Sequence, residues 1–267
     1  MQLYTPAPAV DFTDTGQWRM TIYISRRGIS TFLRHCEDAS QPVVRLFSTE
    51  WADDGQPLLP RIEAAVYDNP RLFDDYATEI VLETRMLTWA PTDWLDGEES
   101  EREVFETIFP GAEREVLTER VGDMTALFML VYGLQPFVVR TLPGARIRSH
   151  MGVLANRLRR LHSPMPRIYA DIREGEADIL AFSDEKMLCA ATHEWREADD
   201  IAYHILHLAE DLGFDRAEML VSLSGAPESR EETAAWLRPH CPHIETTPIA
   251  AEVAGEMPLA AAIAAGF

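Results

Sequence analysis

WRMTIYISRRGISTFLRHCEDASQPVVRLFSTEW, residues 18–51, and RIYADIREGEADILAFSDEKMLCAATHEW, residues 167–195, read as one unit written twice. The first has an alternating strand (Met20, Ile22, Ile24), a turn at Arg26-Arg27-Gly28, and a strand over Ile29 to Leu33. An acidic turn and a strand over Val43 to Phe47 follow, closing on Glu50-Trp51. The second repeats the order: Ile168, Ala170 and Ile172 alternate, Arg173-Glu174-Gly175 turns, and strands cover Ile179 to Phe182 and Met187 to Ala191, closing on Glu194-Trp195. Period-two alternation between glycine-bearing turns is the signature of antiparallel strands.

Outward from these meanders the duplication continues. Leu58 to Val66 reads as the helix after the first meander. After the second, Ile201, Ile205, Leu208 and Leu212 form one apolar face, with Asp199 and Asp200 as N-cap candidates. A strand over Met219 to Leu223 leads through Ser224-Gly225 to a helix opened by Ser229 with Glu232 in a capping-box position. A short strand near Ile244 and an Ala-rich helix, Pro258 to Ala265, finish this half. Their expected counterparts in the first half are a strand over Thr125 to Tyr132, a helix from Pro136, a strand near Ile147 and a helix over Met151 to Leu161. The excess in the first half is then an insertion, Asp68 to Gly122, with strands at Glu79 to Leu82 and Met86 to Trp89 and an acidic helix, Glu98 to Phe109. Two prolines in His162-Ser163-Pro164-Met165-Pro166 stop a helix, so the boundary is placed there: a first half over 1–163, with the insertion at about 68–122, and a second over 164–267. The expected class is α/β, each half a mixed sheet with packed helices.

Composition narrows the chemistry. The chain of 267 residues carries a net charge of −20, which opposes long-range attraction to DNA or anionic lipid. The N-terminus has no basic run with an apolar core, and Met124 to Leu134 is too short to span a bilayer. Cys36, Cys189 and Cys241 are an odd, scattered set, against a disulfide framework. A cytoplasmic protein is the expectation. Lys186 is the single lysine and falls on a hairpin turn, which sets aside Walker-type phosphate binding and Schiff-base catalysis. His204 and His207 lie one turn apart without an evident third ligand, and His240-Cys241-Pro242-His243 sits at a helix–strand junction, so no metal site is assigned.

Two meander-then-helix halves resemble the actin-like ATPase (ribonuclease H-like) fold shared by actin, the seventy-kilodalton heat-shock chaperones and the sugar and acetate kinases. Within it the chain looks most like an uncharacterised bacterial family known as a domain of unknown function. The likeness rests on the Trp-ended meanders, Leu87-Thr88-Trp89-Ala90-Pro91, and Ala190 to Trp195 running into Asp200 to Ile205. The resemblance implies ATP with Mg²⁺ between the halves, held by three loops. The second phosphate loop commonly reads Asp-x-Gly-x-Gly-Thr-x-Asp; here Asp171, Gly175 and Asp178 are kept, but Arg173 and Glu176 replace a glycine and the threonine. Carboxylates beside an anion oppose phosphate binding, and the lost glycine puts a side chain where main-chain N–H groups would approach. The first loop, Ser25-Arg26-Arg27-Gly28, lacks the carboxylate that organises Mg²⁺, though its arginines could hold an anion. Leu223-Ser224-Gly225-Ala226 matches the adenosine loop. Plain hairpins explain the same residues without any ligand.

The candidate cleft residues are thus Ser25, Arg26, Arg27, Gly28, Asp171, Gly175, Asp178, Ser224 and Gly225, with no catalytic residue or cofactor expected and a protein partner as the means of action. An ATPase or small-molecule kinase with altered loops is the alternative. A third reading uses Arg140, Arg146, Arg148, Arg157, Arg159, Arg160 and Arg167, a stretch without Asp or Glu. It would dock an acidic partner or an RNA backbone, unless it pairs with the acidic helix of the insertion.

Overall fold

The computed structural model describes residues 3–4, 14–38, 41–52, 54–112, 116–161, 163–249 and 257–267. The first half runs β1 (Leu3–Tyr4), β2 (Trp18–Ile24), β3 (Gly28–His35), β4 (Val43–Glu50), α1 (Leu58–Tyr67) and β5 (Ala77–Leu82). Then come β6 (Leu87–Pro91), α2 (Glu98–Ile108), β7 (Val116–Val121), β8 (Met124–Met129), α3 (Leu134–Thr141), β9 (Arg146–Ser149) and α4 (His150–Leu158). The second half is β10 (Arg167–Arg173), β11 (Glu176–Ser183), β12 (Lys186–Glu194), α5 (Ala198–Asp211), β13 (Leu220–Gly225), α6 (Pro227–Leu237), β14 (Ile244–Thr246) and α7 (Leu259–Ala264). No described helix is long and apolar enough to cross a membrane.

The sheets carry the duplication. One has the order β1-β4-β3-β2-β5-β9, the other β12-β11-β10-β13-β14. In each, the meander is antiparallel and the next two strands add parallel to its first strand (β5 and β9; β13 and β14). The two tryptophans close equivalent turns: Trp51 N–H donates to the Arg27 carbonyl (2.7 Å) and Trp195 N–H to that of Gly175 (3.2 Å). Both rings are half-buried, Trp51 against the outer core of the first half and Trp195 against that of the second.

The insertion starts later than the sequence suggests. Its own sheet is β6-β8-β7, and the strand expected to continue the main sheet, Thr125 to Tyr132, is instead β8 at the centre of this small one. The main-sheet strand is β5, which pairs parallel with β2. An apolar run marks a strand covered on both faces, and β8 meets that condition inside the smaller sheet. Within β5, the Glu79 carboxylate is met by Arg148 of the neighbouring β9 at 3.4 Å. The inserted segment therefore spans 83–133, not 68–122. Two helix starts also move: Glu197 is the N-cap of α5, with Asp200 completing a capping box from inside the helix, and α6 opens at Pro227, not Ser229.

A central core joins the halves. Tyr23, Phe32 and Val81 come to it from the first sheet, and Tyr169, Leu180 and Phe182 from the second. Between the sheets lie α4 and α7, apolar on nearly all sides as a fully enclosed helix must be. Ser149 caps α4, its hydroxyl accepting from Gly152 N–H. Because this core belongs to neither half alone, urea should unfold both halves in one transition, and Phe182→Ala should lower stability by about 3–5 kcal/mol. Two separated transitions would contradict a shared core.

Candidate functional site

Strand alternation decides which side chains reach the space between the halves. On β10, Ile168, Ala170 and Ile172 turn to the outer core, so Tyr169, Asp171 and Arg173 turn inward. On β11 the inward set is Glu176, Asp178, Leu180 and Phe182, and Asp171 stands directly opposite Asp178 in the ladder. Two carboxylates thus lie side by side in a region closed to water: Asp178 is fully buried and Asp171 is 5% exposed.

Arg173 answers them. Its guanidinium lies 2.9 Å from Asp178 Oδ1, 3.3 Å from Glu176 Oε2 and, across the gap, 2.7 Å from Glu83 Oε1 at the end of β5. The side chain is 14% exposed. Tyr23 of β2 donates its hydroxyl to Glu83 Oε2 (2.7 Å), and Thr192 of β12 donates to Asp178 Oδ1 (2.6 Å). His150, the first residue of α4, places Nε2 3.2 Å from Asp178 Oδ2, without the alignment of a hydrogen bond. Burial favours a neutral Asp178, but the His150 ring and the Arg173 guanidinium outweigh it and hold the carboxyl well below the usual carboxylate range. Asp171 receives Ser224 Oγ–H (2.7 Å) and is in no ion pair among the described residues. Burial first, and then the Asp178 charge, push its pKa up to about 6. Burial and Glu83 raise Tyr23 well above an ordinary phenol.

The nominated residues divide in two. Asp171, Asp178 and Ser224 share this buried cluster, and Gly225 follows on β13. Gly225 has φ of +111°, and a Cβ there would strike the Ile172 carbonyl, so close strand approach explains the glycine without a ligand. Ser25, Arg26, Arg27 and Gly28 form the facing hairpin turn. Ser25 Oγ accepts from the N–H groups of Arg27 (3.2 Å) and Gly28 (3.1 Å), and a Cβ on Gly28 would meet the Thr49 carbonyl. The arginines of this turn face carboxylates of the second half: Arg27 pairs with Glu174, and Arg26 lies 4.0 Å from Glu176. Arg85, just past β5, contacts Glu176 and lies 2.7 Å from Glu194, adding another link between the halves.

Sequence reading missed Tyr23, Glu83 and His150. Tyr23 is the inward residue of an apolar strand, Glu83 the first charge after one, and His150 follows the cap Ser149; each pattern also fits an unremarkable position. The arginine stretch is spread out by the fold. Arg167 is buried, Arg148 pairs with Glu119 (2.8 Å) and Glu79, and Arg140 lies near Glu63 of α1. These partners are on β7, β5 and α1 and not on α2, where the acids were expected to be. Among the described residues no cluster of three or more His, Cys, Asp or Glu could hold a metal ion.

Open space lies beside the charged cluster. One cavity of about 480 Å³ runs between β6 and β12, and another of about 520 Å³ is bordered by Arg85, Gly175 and Trp195. Gly175 lines the second; Asp171, Asp178 and Ser224 line neither. Asp171 supplies a pH test. An unfolded aspartate loses its proton near pH 3.9, the folded one near pH 6, so the native state binds more protons in between and stability falls as pH rises through that window. Asp171→Asn keeps the acceptor for Ser224 and should raise stability at pH 8 by up to about 3 kcal/mol, the gain vanishing near pH 4. Equal effects at both pH values would contradict the raised pKa.

The fold is matched by solved structures. A Bacteroides thetaiotaomicron protein with actin-like ATPase fold and unknown function superposes with a TM-score of 0.79 at 21% identity, covering 90% of this chain and 95% of that one. The PilM–PilN type IV pilus biogenesis complex gives 0.52 at 12% identity, covering 92% and 96%. The fold of this protein is therefore the actin-like ATPase fold. No curated protein matches the sequence. The family profile described as "Protein of unknown function (DUF3822)" matches residues 7–244, and the chain belongs to that family.

Proposed function

We propose that this protein is a non-catalytic member of the actin-like fold that acts by binding a protein partner, its nucleotide cleft having become a structural joint. The observation that carries this reading is the position of Arg173. It replaces a glycine of the phosphate loop, and its guanidinium stands between the halves, tied to Glu83 on one side and Asp178 on the other. A phosphate entering there would meet Asp171, Asp178, Glu83 and Glu176, while Arg27, Arg85 and Arg173 are already paired with carboxylates.

Chemistry points the same way. Phosphoryl transfer needs a metal ion to neutralise developing charge, and Ser25 stands where the first loop would present the organising carboxylate. The acids that are present are committed: Asp178 to Arg173 and Thr192, Asp171 to Ser224. Action through a partner suits the fold, since PilM is found with PilN in a pilus biogenesis complex.

Millimolar Mg·ATP should leave the melting temperature unchanged. A ligand at a hundred times its Kd would add about 2.7 kcal/mol, which a melting curve resolves easily. A clear rise that disappears in Asp171→Ala would instead establish a nucleotide site and favour the ATPase or kinase alternative. Arg173→Ala leaves Glu83 and Asp178 without their arginine and should destabilise the fold by about 3–5 kcal/mol, as removal of one partner from a buried ion pair typically does.

A further inference from the structure

The cavity of about 480 Å³ lies between the inserted sheet and the second half. Along β12 it is bordered by every residue from Met187 to Thr192, and along β6 by Leu87, Thr88 and Trp89. Side chains of a strand alternate between faces, so an unbroken run of bordering residues means that the cavity follows the edge of the strand. Core membership agrees: Ala190 packs toward the central core and Cys189 toward the outer core of the second half. Among the described residues both strands are terminal in their sheets, β6 pairing with β8 alone and β12 with β11 alone. The register slips opposite Met187 and Cys189, leaving Leu188 as a bulge, 38% exposed at the rim. The cavity is a slot walled by two sheet edges.

Its lining selects the occupant. None of the residues around it is Asp or Glu, in a chain that has 44 of them. Its one cation, Arg85, is engaged by Glu176 and Glu194. Phe109, Met124 and Met151 give apolar surface, and the buried indole N–H of Trp89 has no acceptor among the described residues. A charged strand or a polyanion would lose hydration here without meeting a free counter-charge. An uncharged extended segment would gain main-chain hydrogen bonds along the edges and apolar contacts for its side chains. We infer that this slot binds an extended, uncharged, apolar-rich segment of a partner protein by strand addition. This rests on the proposed partner-binding role and names the surface that performs it.

Random peptides displayed on phage, selected on the intact protein and resynthesised with capped ends, provide the probe. Enriched peptides should be apolar and uncharged. Their binding should slow amide hydrogen exchange within Met187 to Thr192 and Leu87 to Trp89, because edge N–H groups become hydrogen-bonded. Leu188→Asp puts a carboxylate at the exposed rim and should weaken binding roughly tenfold or more, the cost of burying an unpaired charge. Thr88→Asp provides the same test from the opposite wall if the first variant fails to fold. The inference is overturned by an absence of enrichment, by enrichment of charged peptides, or by protection confined to other regions. Binding without protection of either edge also overturns it, and identifies a side-chain pocket. Mg·ATP melting curves on the same preparation keep the two readings apart: a rise would defeat the filled cleft and leave the peptide result standing.

Discussion

One guanidinium sets the geometry between the halves. Arg173 projects from the second sheet, is mostly buried, and touches carboxylates from both sides of the gap. A charge in such a place must be met closely or the fold fails, so Glu83, Asp178 and Glu176 are fixed relative to one another. Their other contacts follow: Tyr23 turns its hydroxyl to Glu83, and Thr192 to Asp178. Asp171, in no ion pair among the described residues, is the member that burial and the Asp178 charge drive toward its neutral form. Replacing a buried ion pair with apolar groups is often neutral or stabilising, so the network contributes geometry more than free energy: it defines how one sheet faces the other.

The apolar layer beneath performs the cohesive work. Both sheets turn a mixed face inward, polar toward the hairpin turns and apolar farther along, where Phe32, Leu180 and Phe182 meet α4 and α7. Placing α7 there suits its alanines, since small side chains let a helix sit close to its neighbours. Gly266, just beyond it, is so near Arg34 of β3 that a Cβ would collide with that side chain.

Much of this was legible from residue order alone. Alternation in Met20, Ile22 and Ile24 and in Ile168, Ala170 and Ile172 gave the meanders, because a strand with one outer core repeats every second residue. The later strands of the first half were harder. The apolar residues at 80–82 and 126–128 mark strands covered on both faces but do not say which sheet each belongs to. Site residues followed the same divide. Asp171, Asp178 and Ser224 were found through a loop pattern, whereas Glu83 and His150 join them through contacts that no local spacing encodes. Arg173 could be seen as a missing glycine; that its side chain would pair with Glu83 of the other half required the fold.

The shared central layer also bears on how the chain assembles. Its members extend from Tyr23 on β2 to Phe267, just past α7, nearly the whole sequence apart, so loop closure must precede any gain from their contact. The outer layers draw on nearer segments, the first half on residues from Trp18 to Leu142 and the second on Ile168 to Cys241. During synthesis these can form while the central layer is incomplete, leaving an apolar inner face uncovered until α7 emerges. Contacts of such long sequence separation slow folding, and the interval before α7 docks is when this chain is most exposed to aggregation.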